Sequence, residues 1–231
     1  ARGDSPVTLW ARESEVVDAI NARHENSIFL PGVALSPTIR ATDRLSDLDD
    51  LDALLVVVPT QHIGAVLGET KVAGRPLILC AKGIEAGSKR LVSEVAADAH
   101  PDSPLAVLSG PTFAHEVAAG LPTAVTLACA DEALARRLSD RIASATFRPY
   151  ASNDVVGAEI GGAVKNVLAI ACGVVEGAGL SLNARASLIA RGFAEMTRFG
   201  MARGARQETL AGLAGLGDLV LTCSSTSSRN F

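Results

Sequence analysis

The sequence predicts an α/β fold: a doubly wound parallel-sheet domain followed by an all-helical domain. Three observations carry that expectation. Short apolar runs alternate with helical patterns up to about residue 150. Several runs, such as Leu54-Leu55-Val56-Val57-Val58, are apolar at every position and read as strands buried on both faces. After Asp154 the strand signals stop and long helical patterns take over.

Taken in order, strands are expected at 7–11, 53–59, 76–81, 105–109, 122–130 and 147–150, with helices at 14–23, 91–99, 112–119 and 131–144. Asp131-Glu132 places acids at the start of the last of these, where they complement the helix dipole. Strand–helix alternation implies a parallel sheet covered on both sides. Residues 1–152 are therefore one domain. Residues 157–175, 183–203 and 208–221 read as helices of a second domain spanning 153–231. A doubly wound nucleotide-binding domain should open on a strand and a Gly-rich turn, neither of which precedes Ala1, and the polar run Ser228-Arg229-Asn230-Phe231 closes the chain. Both termini accordingly read as truncated.

Composition narrows the function classes. The 231 residues carry 21 basic and 25 acidic side chains, a net charge of −4, which argues against a nucleic-acid partner. Cys80, Cys129, Cys172 and Cys223 are far apart and lie in apolar runs. They read as buried thiols of a reducing, cytoplasmic setting, and neither they nor the four histidines show metal-ligand spacing. The most membrane-like stretch, 157–180, is interrupted by Glu159, Lys165 and Glu176, so no membrane span is expected. The tripeptide Arg2-Gly3-Asp4 matches a cell-adhesion motif, but three letters carry no weight alone.

Ligands of open α/β sheets bind beyond the carboxyl ends of the strands. Three such ends carry unusual residues: Pro59-Thr60-Gln61, Lys82-Gly83-Ile84-Glu85 and Ser109-Gly110-Pro111-Thr112. In the last, Gly110 allows close backbone approach, and Pro111 can open a helix whose amides would face an anion; a plain structural turn is the competing reading. Arg12 follows the first strand, where an arginine favours NADP over NAD if the strand belongs to a dinucleotide fold. Trp10 reads as packing or as the rim of a cofactor site.

The sharpest anomaly is Gly161-Gly162-Ala163-Val164-Lys165-Asn166 inside an apolar helix. Each glycine there costs about 1 kcal/mol relative to alanine, so the pair implies the close approach of a ligand or another backbone. Lys165 either runs its stem out to solvent or sits buried with its pKa depressed, a state suited to proton transfer; the Gly-Gly-Ala lead-in favours the second. Asp218, in the apolar stretch after Gly215-Leu216-Gly217, is either a helix cap or a partner for Lys165. Asn183 is an expected N-cap of the second long helix. Ser228, Arg229 and Asn230 offer a hydroxyl, a guanidinium and an amide suited to gripping phosphate, or form a solvated tail.

In this order and spacing the segments resemble bacterial NAD(P)-dependent glycerol-3-phosphate dehydrogenases. The resemblance rests on Val7-Thr8-Leu9-Trp10-Ala11-Arg12, Phe29-Leu30-Pro31-Gly32, Val57-Val58-Pro59, Lys82-Gly83-Ile84-Glu85, Ser109-Gly110-Pro111-Thr112-Phe113-Ala114, Gly161 to Asn166, Asn183-Ala184-Arg185-Ala186, Arg191-Gly192-Phe193-Ala194-Glu195-Met196, Ala214-Gly215-Leu216-Gly217-Asp218 and Ser228-Arg229-Asn230. It implies a Rossmann-like dinucleotide domain, NAD or NADP as cofactor with NADP favoured by Arg12, and reduction of dihydroxyacetone phosphate, a phosphorylated triose, to sn-glycerol 3-phosphate for phospholipid synthesis. It further implies Lys165 as general acid/base. Lys82, Gly110, Thr112, Asp218, Ser228, Arg229 and Asn230 would bind substrate, and Arg12, Lys82, Ala114 and Arg229 cofactor. The family's Gly-x-Gly-x-x-Gly turn and its later helices have no counterpart here, and Ala190 stands where threonine is expected. A homodimer is an expected assembly. Two competing readings are a β-hydroxyacid-type dehydrogenase and a non-catalytic module that binds phosphorylated metabolites.

Overall fold

Apolar strands at 54–56, 77–79 and 105–109 build the centre of the molecule. The computed structural model describes residues 5–72 and 74–231; the Arg2-Gly3-Asp4 tripeptide lies outside them. A five-stranded sheet runs β5 (Leu54–Val56), β6 (Leu77–Leu79), β7 (Leu105–Ser109), β8 (Thr123–Cys129), β9 (Phe147–Ser152) in spatial as well as chain order. Ahead of it, β1 (Val7–Trp10) pairs in parallel with β4 (Ile39–Thr42), and α1 (Ser14–Arg23) packs on that pair through Val16 and Ile20. A small hairpin of β2 (Glu25–Asn26) and β3 (Leu30–Ala34) lies between them in the chain.

Within the five-stranded sheet β5–β6–β7 are parallel, as are β8 and β9, but β7 and β8 are antiparallel. The expected all-parallel sheet is thus corrected at one pair, and the reason is the connection. A parallel crossover must carry the chain back along the whole strand, usually on a helix. The only helix between β7 and β8 among the described residues is α4 (Ala114–Ala118), whose five residues span about 7.5 Å. Between β8 and β9, α5 (Glu132–Ile142) is long enough to make the return. It is capped by Asp131, which accepts from the amides of Ala133 and Leu134.

A second correction concerns β5. Leu54, Val56 and Val58 face a core under α2 (Ile63–Gly68) and α3 (Val92–Ala99), but Leu55 and Val57 are exposed. Strand side chains alternate between faces, so Leu55 and Val57 share the face opposite the α2–α3 core. The continuous apolar run at β5 is therefore buried on one face only.

The helical part begins with α6 (Val155–Gly177), followed by α7 (Leu182–Ala202), α8 (Gln207–Ala211), a π-turn at Leu213–Gly217 and α9 (Asp218–Cys223). Asp154 caps α6 through the Gly157 amide at 2.9 Å and binds the Arg206 amide at 2.8 Å, which ties α6 to the start of α8. The cap of α7 is Ser181, not Asn183: the serine oxygen accepts from Ala184, two residues into the helix. By length and composition α6 could cross a membrane, but more than half of its apolar window is buried within the protein. It is the core helix of this half, packed on α7, α9 and β7.

Candidate active site

Two of the glycines that make α6 anomalous have opposite neighbours. A side-chain carbon at Gly161 would lie 2.3 Å from the Ala214 carbonyl oxygen, so its absence lets the π-turn seat against α6. One at Gly162 would lie 3.1 Å from Cγ of Lys82 and 3.0 Å from Oγ of Ser109. The pair therefore admits backbone on one side and the ends of β6 and β7 on the other. Both approaches converge on Asp218, the first residue of α9, which is 1% exposed.

Asp218 joins two lysines. Lys165 donates to its Oδ1 at 2.8 Å, and Lys82, reaching in from the end of β6, donates to its Oδ2. Lys165 also donates to Oγ1 of Thr222 at 2.8 Å, and Thr222 donates to the Asp218 carbonyl at 2.7 Å. The second N–H of Lys82 goes to the carbonyl of Gly110 at 3.1 Å, which also accepts from Thr112. An ammonium has three donors. Among the described residues, each lysine uses two and keeps one. The trio carries a net single positive charge in a buried setting, suited to an anionic substrate or a developing alkoxide. Burial holds the Lys165 amine below its ordinary range, the charge of Lys82 adds to that, and Asp218 opposes both. Lys165 is 8% exposed, so the buried alternative holds over a stem reaching solvent.

The remaining expected site residues divide. Asn230 donates its side-chain amide to Asn166, next to Lys165, at 2.9 Å, which brings the tail to the cluster. Ser228 is buried and its oxygen accepts the Asn230 amide; Arg229 is exposed. Arg12 is exposed on the bend after β1, and Trp10 beside it bonds the Asp43 carbonyl. Neither Arg12 nor Ala114 touches the lysine–aspartate cluster among the described residues. Gly110 brings its backbone close to Val125 of β8, where a side-chain carbon would be 3.0 Å away, while its carbonyl faces Lys82. The helix after Pro111 starts only at Ala114 and is one short turn, too small for the expected anion site. Thr222 was not anticipated. Its signal was available, since it lies four residues after Asp218 on one helix face.

Whether these residues suit a dinucleotide is answered by two orphaned hydroxyls. Thr60, four residues past β5, and Ser109, the last residue of β7, are buried and find no hydrogen-bond partner among the described residues, and they stand on either side of Lys82. Buried hydroxyls need partners. Placed at the carboxyl ends of the two strands that flank β6 in the parallel part of the sheet, they fit a polar ligand laid across those ends. Such a sheet, joined to a helix that presents a buried lysine–carboxylate pair, describes the class of two-domain nicotinamide-dependent dehydrogenases.

Comparison with known proteins gives the family. A family model described as NAD-dependent glycerol-3-phosphate dehydrogenase N-terminus matches residues 1–135, and one described as the C-terminus of the same enzyme matches 154–231. The chain is 65% identical over its full length to glycerol-3-phosphate dehydrogenase [NAD(P)+] 1 of Sphingopyxis alaskensis, of which it spans 70%. It is 61% identical, again over its whole length and 70% of the relative, to the enzyme named glycerol-3-phosphate dehydrogenase [NAD(P)+] of Caulobacter vibrioides. The crystal structure of glycerol-3-phosphate dehydrogenase from Coxiella burnetii matches with a TM-score of 0.92 at 43% identity, covering 97% of this chain and 70% of that one. The chain belongs to the NAD-dependent glycerol-3-phosphate dehydrogenase family.

Proposed function

We infer that this protein interconverts dihydroxyacetone phosphate and sn-glycerol 3-phosphate by hydride transfer with NAD(P)H. The observation that carries this reading is the Lys165–Asp218–Lys82 cluster, two lysines on one buried carboxylate with a spare N–H each. In this reading residues 1–152 hold the cofactor and 153–231 the substrate, with the reaction at their junction. The bound nicotinamide supplies the hydride.

Lys165 gives a proton from Nζ to the substrate carbonyl oxygen in the reduction, and takes it back from the hydroxyl in the oxidation. Its lowered pKa suits both directions, since a general acid works best near the operating pH. Asp218 and Thr222 fix the amine so that its free N–H points one way. Lys82 adds a second positive charge where alkoxide character develops. Gly110, Thr112, Ser228, Arg229 and Asn230 bind the substrate; Arg12, Lys82, Ala114 and Arg229 hold the cofactor, and the guanidinium of Arg12 favours the extra phosphate of NADP. The product feeds phospholipid synthesis in the cytoplasm, a placement supported by four free thiols. A homodimer completes the proposal, supported by the exposed Val167, Ile170 and Val174 on one side of α6, and sedimentation tests it.

The test of the reaction is consumption of NADPH, then NADH, in the presence of dihydroxyacetone phosphate. Turnover that requires the triose phosphate upholds the reading. Folded protein that binds glycerol 3-phosphate without turnover with either cofactor moves the assignment to a non-catalytic binding module.

A further inference from the structure

Glu159 is a buried acid that the reaction above does not use. It lies on α6, 5% exposed, two turns before Lys165. Its Oε1 accepts the backbone amide of Ser93 at 2.7 Å and its Oε2 accepts the Ser93 hydroxyl at 2.6 Å. Ser93 is in the first turn of α3, whose amides need acceptors. The residue ahead of that helix is Leu91, which has no side-chain oxygen to offer. Glu94 reaches back to the Leu91 amide at 2.6 Å, but the amide of Ser93 has to find its cap elsewhere. It finds it 66 residues away, on the helix that carries Lys165.

We propose that Glu159 is a positioning residue for Lys82: by capping α3 from α6 it fixes the segment that delivers Lys82 to Asp218 and Lys165. This rests on the dehydrogenase reading above. One bridge and two short stretches of chain make the link continuous. Ser93 lies two residues past Leu91, Leu91 is bridged to Ile84 across an antiparallel pair, and Ile84 lies two residues past Lys82. Leu91, Ile84 and Ile160 of α6 share one apolar cluster. On α6 itself, Gly162 lies three residues from both Glu159 and Lys165 and so neighbours each of them on the helix surface. Glu159 holds Ser93, Gly162 receives the stem of Lys82, and Lys165 meets Lys82 across Asp218. A carboxylate at a helix N-terminus also complements the helix dipole. Burial pushes the Glu159 carboxyl up, the bonds from Ser93 oppose that, and the charged groups around it are Glu94, which further disfavours its ionised form, and Arg203, which pairs with Glu94 at 3.7 Å. Those around Lys165 are Asp218 and Lys82, with the Cys223 thiol nearby.

The consequence is electrostatic as well as steric. With α3 uncapped, Lys82 draws back. Lys165 then loses a repelling neighbour and gains a larger share of Asp218. Both changes raise its pKa.

The experiment compares Glu159→Ala, Glu159→Gln and Ser93→Ala with the unsubstituted protein. One readout is kcat and KM for dihydroxyacetone phosphate against pH. The other needs no cofactor: the pH dependence of Lys165 acylation by a small anhydride, read by peptide mass. Glu159→Ala should lower kcat/KM by about tenfold to a hundredfold, the scale of a misplaced catalytic group. It should also move the Lys165 titration upward in both readouts. Glu159→Gln keeps an acceptor for the Ser93 amide and should restore most of the rate, while Ser93→Ala should shift both readouts in the same direction by less. A titration of Lys165 unmoved in Ser93→Ala and in whichever Glu159 variants fold would overturn the proposal and leave Glu159 a purely structural cap. If the unsubstituted protein fails to turn over the triose phosphate, the reaction assignment falls, yet the acylation readout still decides the role of Glu159.

Discussion

The two sides of the molecule bury different things. Between the sheet and α5, the interior is Ile78, Ala106, Leu127, Cys129, Leu134 and Ala135, with the Ser139 hydroxyl as a buried polar group but no buried charge among the described residues. Around α6 and α9, the buried residues include Glu159, Lys165, Asp218 and Thr222. An apolar core stabilises through transfer from water and close packing. A buried ion pair is a poor stabiliser, because desolvation of each charge offsets much of the attraction. Charge kept in such a place points to chemistry, and the two regions should therefore fail in different ways when altered.

The largest effect expected is on rate. Lys165→Met removes the proton donor but keeps an unbranched chain of similar length. Activity should fall by about 10²–10⁴-fold, the range for loss of a general acid. Asp218 retains Lys82, so no carboxylate is left unpaired. Thermal unfolding of the variant should start no earlier than that of the unsubstituted protein, and an early transition would break the contrast.

Leu127→Ala is the mirror case. Leu127 is fully buried between the sheet and α5. Its truncation should cost about 2–5 kcal/mol, read as a lower denaturation midpoint, with kcat per folded molecule unchanged. A Leu127→Ala protein of normal stability but reduced kcat would mean that the two regions are not separable.

How much of this contrast was legible in the sequence follows from what each part depends on. The strands and long helices come from local apolar period, and most lie within a few residues of expectation. The hairpin of β2 and β3, β4 and α2 were missed, being elements of two to six residues, too short to show a period, and in α2 the run Ile-Gly-Ala-Val-Leu-Gly has no polar side chain to mark a face. Lys82, Lys165 and Asp218 stood out because each interrupts or closes an apolar run. That they meet was weakly legible, because 53 residues separate Lys165 from Asp218 and 136 separate Lys82 from it. The Gly161-Gly162 pair was the useful clue, since glycine in a helix announces a close approach without naming the neighbour. The Glu159–Ser93 cap was invisible: Glu159 looked only like a charge interrupting a hydrophobic stretch.

Exposed charge supplies a smaller test. Arg12 stands in solvent at the end of β1, away from the lysine cluster. Arg12→Ser should leave stability untouched and lower the preference for NADPH over NADH by about tenfold, equivalent to about 1.4 kcal/mol. Equal loss with both cofactors would assign Arg12 a role other than holding the extra phosphate.

The smallest effect separates the regions by pH. Burial sets the Lys165 amine below 10.5, its ordinary value and that of the unfolded chain. Between the lowered value and 10.5, the unfolded state binds more protons than the folded one, so this group makes stability rise with pH. The slope from one group is at most about 1.4 kcal/mol per pH unit. Below that window the protonated amine carries its full desolvation cost, and above it neither state is charged. Urea unfolding of the unsubstituted protein and of Lys165→Met, from pH 7 to 10, reads the contribution of Lys165 together with its coupling to Lys82, Asp218 and Cys223, while titrations remote from the cluster cancel in the difference. The unsubstituted protein should gain on the variant as pH rises. A difference that shrinks instead would mean that attraction to Asp218 outweighs burial at this site, so that the ion pair stabilises the fold and the helical side is held together by its charges after all.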